Sequence, residues 1–330
     1  MLSPKLRNFG YCALLLAMIA APFVLYPVFV MKILCFALFA SAFNLLIGFT
    51  GLVSFGHATF FGGAAYICGY ALTALKLPTE FGVLLGTAGG AFIGLCVVTL
   101  AIRRQGVYFS MITLAMAQML YFFYLQAPFT GGEDGLQGVP RGHLVGLLDL
   151  HNDLVMYYVM LAVSFGGIAL TVRIVHSPFG QVLRMIKDNE PRAMSLGYDV
   201  SRYKLLAFVL SAGLAGLAGS MKSVVLQSAT LTDVHWSMSG LVILMTLIGG
   251  MGTFVGPAVG AAIIVALENK LGDFGNLLAQ WTGVELFRAV GTSVTVVTGL
   301  VFMLCVLTLR RGMVGELVHV MRWQKEKQVK

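Results

Sequence analysis

Long apolar runs without a single charged residue constrain this chain more than any other feature of its sequence. The clearest runs cover residues 11–31, 81–102, 154–172 and 289–309. Each is close to or above the roughly 20 residues that a helix needs to cross about 30 Å of hydrocarbon. Charged residues make up only 11% of the chain, against about 25% in soluble proteins. The sequence therefore predicts an all-α polytopic membrane protein.

The first apolar run follows Lys5 and Arg7, and these flanks are also found in secretory signal peptides. The run is longer than the roughly 7–15 apolar residues of a signal peptide, and further apolar runs follow it. We therefore interpret it as the first membrane span.

Lysine and arginine are unevenly distributed among the segments that connect the apolar runs. The loop 127–153 carries four acidic residues and only Arg141. The basic clusters lie instead at Lys5 and Arg7, at Arg103 and Arg104, and in 173–204 and 310–330. Because cytoplasmic loops are enriched in Lys and Arg, this pattern places 127–153 outside and predicts that both termini and loop 177–204 are cytoplasmic. The same asymmetry accounts for the net charge of +8, so no nucleic-acid partner is indicated.

Ten crossings satisfy this distribution of charge. The predicted segments are approximately 11–30, 31–48, 51–75, 81–102, 107–126, 154–175, 205–225, 237–250, 252–270 and 287–309. They form a first helical half at 11–126 and a second at 154–309, separated by a periplasmic loop at 127–153. Because five crossings reverse the direction of the chain, the two five-helix halves are expected to be inverted, a common plan in transporters.

Two parts of this scheme carry their own expectations. The region 237–270 is either two short spans or a re-entrant hairpin followed by a span. The basic tail 310–330 has an apolar stripe and is expected to lie on anionic membrane lipid.

Glycine clusters occur at equivalent positions of the two predicted halves. The stretches 48–70 and 240–262 both contain Gly-Leu-Val and are dense in glycine. Glycine in a membrane helix either lets helices approach closely or permits a break, which is tolerated where it is buried or lines a wet cavity. A break exposes backbone amides and carbonyls that suit a small polar solute. The predicted substrate pathway consists of Asn44, Gly51, Ser54, His57, Thr246, Gly249, Gly250 and Gly252.

His57 is the ionisable residue deep in the third predicted segment. An ionisable group inside a membrane is a candidate for function, and a histidine held by a neighbouring carbonyl for structural reasons is the competing interpretation. The five cysteines lie in apolar runs without CxxC spacing, which favours buried apolar roles over a disulfide framework or a metal site. No catalytic residues are predicted.

Loop 177–204 contains closely spaced helix start and stop signals. Ser177 and Pro178 are typical of a helix start, and an apolar stripe follows at Phe179, Val182, Leu183 and Ile186. Pro191 ends this helix or kinks it. A second short helix is predicted at about 191–196, with Asn189 and Glu190 as candidate caps and Gly197 as its stop. A solvated basic loop is the alternative interpretation. A rigid helical element, however, is what a separate soluble subunit that supplies energy would need in order to bind and move a membrane domain.

Three stretches of the chain resemble a known transporter family. They read NLLIGFTGLVSFGHATFFGGAAY at 44–66, GQVLRMIKDNEPRAMSLGYDVSRYKLLAFVLSAGLAGLAG at 180–219 and LIGGMGTFVGPAVGA at 247–261. The chain resembles the permease subunits of bacterial branched-chain amino-acid ABC importers of the LivM type over nearly its whole length. The central stretch is the most specific of the three.

The resemblance implies an ABC importer permease fold of about ten helices in the bacterial inner membrane. It further implies a second, LivH-like permease, two ATPase subunits similar to LivG and LivF, and a periplasmic amino-acid binding protein. ATP and Mg²⁺ would be used by the ATPase subunits, and no cofactor is expected on this chain. The ATPase-coupling residues that the resemblance implies are Asn189, Glu190, Arg192, Ala193 and Gly197. This stretch departs from the general Glu-Ala-Ala consensus of importers.

The absence of a GxxxxGK[ST] motif from the sequence agrees with a subunit that receives its energy from a partner. Import of leucine, isoleucine and valine is the predicted function, and urea, amides or other small carboxylates are alternatives within the same family. An ion-coupled secondary transporter would need acidic residues in the membrane, and the predicted segments contain only Glu268, near a segment end. An intramembrane enzyme is disfavoured because His57 has no acidic partner nearby in the sequence.

Overall fold

The protein is described from a computed structural model that covers residues 18–104, 106–144, 146, 148–282, 294–308 and 312–316. Five helices of this described part are long and apolar enough to cross a membrane. The helices are α1 (Pro27–Phe49), α2 (His57–Thr73), α3 (Thr79–Ala101), α4 (Val107–Gln126), α5 (Asp153–His176), α6 (Pro178–Asp188), α7 (Glu190–Ser195), α8 (Val200–Leu226), α9 (Trp236–Gly249), α10 (Gly256–Thr282) and α11 (Val294–Thr308). The five candidate spans are α1, α3, α4, α5 and α8. The predicted all-α, multi-pass class is confirmed.

Helix α1 lies at the centre of the bundle. It packs against α5, α8, α9 and α10, and its aromatic and aliphatic side chains are buried on all sides. A helix that is apolar all round is expected in such a central position. Phe39 of α1 stacks on Phe61 of α2, with ring centroids 4.4 Å apart.

Helix α3 approaches α8 through glycines spaced one turn apart. A Cβ atom at Gly90 would lie 2.9 Å from the Cα of Gly216, and one at Gly94 would lie 2.3 Å from the Cβ of Ala212. Small residues at such spacing let membrane helices pack backbone to backbone. The opposite faces of α3 and α4 expose large apolar side chains, among them Leu84, Phe92, Met111 and Phe122.

The loop between α4 and α5 is fastened to the bundle. Strand β1 (Leu136–Gln137) pairs antiparallel with β4 (Ser228–Ala229), which follows α8, and β2 (His143–Leu144) pairs with β3 (Leu148–Asp149). The buried Arg141 side chain forms an ion pair with Asp153 and donates to the carbonyl of Val225 at 2.8 Å. Short 3-10 turns complete the connections at Ala21–Phe23, Pro128–Thr130, Gly132–Asp134 and Leu231–Asp233.

Several predicted boundaries differ from the structure. The predicted division between segments 11–30 and 31–48 is wrong, because one helix, α1, begins at Pro27. Proline fits the first turn of a helix, where its missing N–H needs no partner, so Pro27 starts α1 within an unbroken apolar run. The segment predicted at 51–75 is helical only from His57.

In the second half, two helices extend beyond their predicted ends. Helix α8 begins at Val200, inside the predicted loop 177–204, and α10 runs from Gly256 to Thr282, well past residue 270. With 14 residues, α9 is about 21 Å long, which is shorter than the hydrocarbon core of a membrane. Residues outside the described part include 1–17, which contain the start of the first predicted segment, 287–293 of the last segment and most of the tail 310–330.

Candidate functional site

The chain between α1 and α2 is the first of two breaks in the helical bundle. Residues 50–56 are not helical, and Gly51 has a φ of +75°. The amides around the start of α2 are satisfied by hydroxyl groups. Phe55 N donates to Thr113 Oγ1 at 3.2 Å, and Ala58 N donates to Ser239 Oγ at 2.9 Å. Leu52, Ser54 and Gly56 of this segment are buried, and such pairing of amides is what a break inside a membrane protein requires.

The second break is the turn 250–255 between α9 and α10. Gly250 and Gly252 have φ values of +116° and +74°, which only glycine adopts readily. Thr253 closes the turn, since its hydroxyl donates to Gly250 O at 2.8 Å and accepts from Gly256 N at 3.1 Å. The two glycines are therefore required by the conformation of this turn.

Gly249 has a different role from its two neighbours. A Cβ atom there would lie 1.9 Å from the carbonyl oxygen of Gly256, and one at Gly260 would lie 1.8 Å from the carbonyl oxygen of Met245. Helices α9 and α10 consequently pack as a hairpin of direct backbone contact. At Gly249 the helix-packing explanation of the glycine holds.

Asn44 joins the second break to the end of α1. Its Nδ2 donates to Thr253 O at 2.8 Å, and its Oδ1 accepts from Gly252 N at 2.9 Å. A Cβ atom on Gly48, one turn later on α1, would lie 2.8 Å from Gly252 N. Asn44, Gly250 and Gly252, three of the predicted pathway residues, therefore lie together at one end of the bundle.

The α6–α7 pair lies at this same end. Lys187 of α6 donates from Nζ to Gly48 O at 2.7 Å. A Cβ atom on Gly51 would lie 3.3 Å from the Cγ of Lys187. Gly51 is thus brought close to the end of α1 that Asn44 joins to Gly252, and Lys187 of the loop 177–204 contacts both this end of α1 and the first break.

Three further predicted pathway residues, Ser54, His57 and Thr246, make other hydrogen bonds. Thr246 donates to Val242 O of its own helix at 2.9 Å, and the hydroxyl of Ser54 accepts from Gly56 N at 3.2 Å. Nε2 of His57 lies 2.8 Å from Ser211 Oγ. These three side chains are buried and make hydrogen bonds that satisfy the local backbone or a neighbouring side chain.

The predicted signals within 177–204 are confirmed as structural features. Ser177 caps α6 and accepts from Gly180 N, while Asn189 caps α7 and accepts from Arg192 N at 3.1 Å. Gly197, with a φ of +86°, follows α7. The second helix covers Glu190–Ser195, one residue earlier than predicted at each end.

The α6–α7 pair is held in place by a small core and one ion pair. Ile186, Ala193 and Val200 form a buried cluster of apolar side chains. Glu190 of α7 binds Lys204 of α8 at 2.7 Å, with Lys204 itself buried. Contacts within the chain therefore hold the α6–α7 pair in place.

The predicted coupling residues differ in what they present to the surroundings. Ala193 is fully buried and faces the chain's own core. Arg192 is exposed and is flanked by the exposed apolar side chains of Met194, Leu196 and Tyr198. A partner that binds here would meet a basic and apolar surface, with Ala193 supporting it from below.

The structure contains a buried ion pair between Lys222 and Asp233 that was not predicted from the sequence. Both side chains are almost fully buried, and Asp233 also accepts from the backbone N–H and the hydroxyl of Thr230. The signal available was Lys222 itself, a charged residue inside the predicted span 205–225. Its partner could not be recognised, because Asp233 lies in the turn that follows that span.

The described residues offer no metal site and no paired catalytic groups at these breaks. Within them, no group of three His, Cys, Asp or Glu side chains could hold a metal ion. The two breaks present paired backbone groups, hydroxyls, an amide and a lysine. Such an arrangement can bind and reposition helices or a polar solute.

Comparisons with known proteins agree with this architecture. The family described as "Branched-chain amino acid transport system / permease component" matches residues 28–307. The chain is 25% identical over 256 residues to the high-affinity branched-chain amino acid transport system permease protein LivM of Salmonella typhimurium. It has the same identity over the same length to the LivM protein of Escherichia coli. The match to each covers 70% of this chain and 60% of the relative, so the chain spans less than two thirds of their length.

A different kind of permease is also similar. The ribose import permease protein RbsC of Bacillus subtilis is 29% identical over 210 residues, which cover 59% of this chain and 58% of the relative. No solved structure matches the chain. Since the family model covers nearly all of the bundle, the chain belongs to the permease-component family of branched-chain amino acid transport systems.

Proposed function

We propose that this chain is a membrane-spanning permease subunit of an ATP-driven importer that moves leucine, isoleucine and valine into the bacterial cytoplasm. It works in the inner membrane with a LivH-like permease, two ATPase subunits and a periplasmic amino-acid binding protein. The termini and the α6–α7 pair face the cytoplasm. ATP and Mg²⁺ are used by the ATPase subunits.

The observation that carries this proposal is the folded α6–α7 pair at the end of an apolar bundle. The pair is capped at Ser177 and Asn189 and tied to the bundle through Glu190 and Lys204. It nevertheless leaves Leu196 and its neighbours exposed. An ordered element with an exposed apolar face suits docking to another protein.

Transport follows from alternating access in this proposal. Closure of the ATPase subunits on ATP displaces α6 and α7, and the two permeases tip between outward-facing and inward-facing states. The ligand released from the binding protein then passes between the permeases. The breaks at 50–56 and 250–255 are the places where helices can shift without disrupting continuous helical hydrogen bonding.

Branched-chain amino acids are proposed as the substrate because the LivM relatives are named for them. A sugar-like substrate is the second candidate, since permeases named for import of ribose and autoinducer 2 are also similar to this chain. Urea, amides and other small carboxylates stay as alternatives within the family. In such importers the binding protein, not the permease, usually selects the ligand.

Uptake measurements distinguish these substrates. Cells that produce this chain with its partner subunits are expected to take up radiolabelled leucine, with competition by isoleucine and valine but not by ribose or urea. Vanadate, an inhibitor of ABC ATPases, should stop the uptake. A Gly250→Leu variant serves as the inactive control, because a side chain is strained at a φ of +116°.

Two results would contradict the proposal. Uptake of ribose in place of leucine would favour the second candidate substrate. Leucine uptake that resists vanadate and follows the proton gradient would show that the transporter is not driven by ATP.

A further inference from the structure

Lys187 of α6 binds the last turn of α1. Its Nζ donates to Gly48 O at 2.7 Å. The carbonyls of the last helical turn lack partners within the helix and carry partial negative charge, so a cation is favourable there. Arg184, one turn earlier on α6, lies 5.4 Å from the centre of the Phe49 ring, within the range of a cation–π interaction. Two cations of α6 thus hold the end of α1.

The side chain of Asn44, one turn before Gly48 in α1, connects this end of α1 to the second break. Its amide accepts from Gly252 N and donates to Thr253 O, which matches one side chain to two backbone groups of the turn. Gly48 leaves no free space between them, since its Cβ would lie 2.4 Å from Asn44 Oδ1. The end of α1 and the turn 250–255 are therefore in direct contact, and a shift of one displaces the other.

Aromatic rings connect the turn back to the start of α6. Phe254 of the turn stacks on Phe49, with centroids 5.7 Å apart, and on His176, with centroids 5.0 Å apart. His176 is the last residue of α5, and Ser177 joins it to α6. The contacts therefore form a closed ring from α6 through α1 and the turn to the end of α5.

We propose that Lys187 and Asn44 are positioning residues that transmit the displacement of α6 and α7 to the turn 250–255. This inference rests on the proposed function and specifies how the coupling element reaches the second break. Lys187 moves the C-terminal end of α1, and Asn44 carries that movement to Gly252 and Thr253. The turn has two glycines with positive φ, and such a turn can change conformation while α9 and α10 remain helical.

The test measures the amount of substrate moved per ATP hydrolysed in proteoliposomes that contain the whole transporter. The variants are Lys187→Gln, Asn44→Ala and the double variant, with Lys187→Arg as the conservative replacement. Arg104→Gln is the matched control, since Arg104 is exposed and precedes α4. Assembly with the ATPase subunits and the concentration of loaded binding protein that gives half-maximal transport are recorded alongside.

Lys187→Gln and Asn44→Ala are each expected to lower the coupling ratio, the amount of substrate moved per ATP hydrolysed, by at least about fivefold. This is the lower end of the usual range of energetic coupling between sites. Assembly, ATP hydrolysis and the half-maximal concentration should be retained. Lys187→Arg should restore coupling, and Arg104→Gln should leave it unchanged. Because both residues act in one connected path, the double variant should match the single ones rather than show the product of their effects.

The outcomes separate this inference from the function on which it rests. Unchanged coupling in Lys187→Gln, or losses that multiply in the double variant, would overturn the inference while leaving an ATP-driven wild type in place. A changed half-maximal concentration in Asn44→Ala would assign that residue to ligand binding instead and also overturn it. If the wild-type transporter moves substrate without ATP hydrolysis, the proposed function fails first.

Discussion

The ring of His57 is fixed by one hydrogen bond and three aromatic neighbours. Ser211 has a single hydroxyl proton, and its Oγ lies 2.6 Å from Ala42 O, to which it donates. The hydroxyl can then only accept from His57, so the ring carries its proton on Nε2. The rings of Phe43, Phe60 and Phe208 surround it edge-on, with centroids 5.0–5.8 Å away. These contacts favour the structural interpretation of this residue.

Ser211→Ala is expected to destabilise the protein by about 1–3 kcal/mol, because it leaves the His57 N–H buried without an acceptor. Thermal unfolding of the purified variant in detergent measures this. Ser164→Ala is the matched control, since Ser164 is equally buried but its hydroxyl makes only a long contact of 3.4 Å to Leu34 O. Equal loss in the two variants would contradict the assigned role of Ser211.

The neighbouring residues Arg192 and Ala193 lie on different sides of α7, one exposed and one buried. Ala193 is packed with Ile186 and Val200, whereas Arg192 is exposed. A charge at Ala193 would be buried in an apolar cluster without a partner, which is strongly unfavourable. Substitutions at these two positions are therefore expected to act in different ways, through the fold at Ala193 and through the exposed surface at Arg192.

Ala193→Glu is expected to unfold the α6–α7 pair and thereby abolish both assembly with the ATPase and uptake. Arg192→Glu should leave the pair folded and lower only the uptake per ATP hydrolysed. Limited trypsin digestion of membranes is the structural readout, with new cleavage near Lys204 in the first variant and none in the second. Equal protease resistance in the two variants would show that Ala193 does not support the element.

Local signals in the sequence predict the helical elements better than their contacts. The start of α6 and both ends of α7 were predicted to within a residue because caps and stops act over a few positions. The predicted role of Pro191 was wrong, because α6 already ends at Asp188 and Pro191 lies in the first turn of α7. The glycine clusters likewise indicated both breaks. The contact of Asn44 with Gly252, however, joins residues 208 positions apart, and no local pattern carries such information. Such a contact is determined by tertiary packing.

At the level of the whole bundle, the sequence predicted the fold class but not every boundary between helices. The apolar run 11–31 contains Pro22 and Pro27, and hydropathy alone could not show which proline begins a helix. The number of crossings and the inverted relation of the two halves remain predictions. The proposed function depends on one claim, that an ATPase subunit binds this helical bundle through the α6–α7 pair.

Cross-linking in intact membranes tests this claim most directly. A Leu196→Cys variant, in a background without the five native cysteines, places a thiol on the exposed face of α7. Glu133→Cys places one in the loop between α4 and α5 as the control. The account predicts that Leu196→Cys cross-links to an ABC ATPase subunit and that Glu133→Cys does not. Labelling of Leu196→Cys by a bilayer-impermeant thiol reagent added from the periplasmic side, without any cross-link to an ATPase, would contradict it.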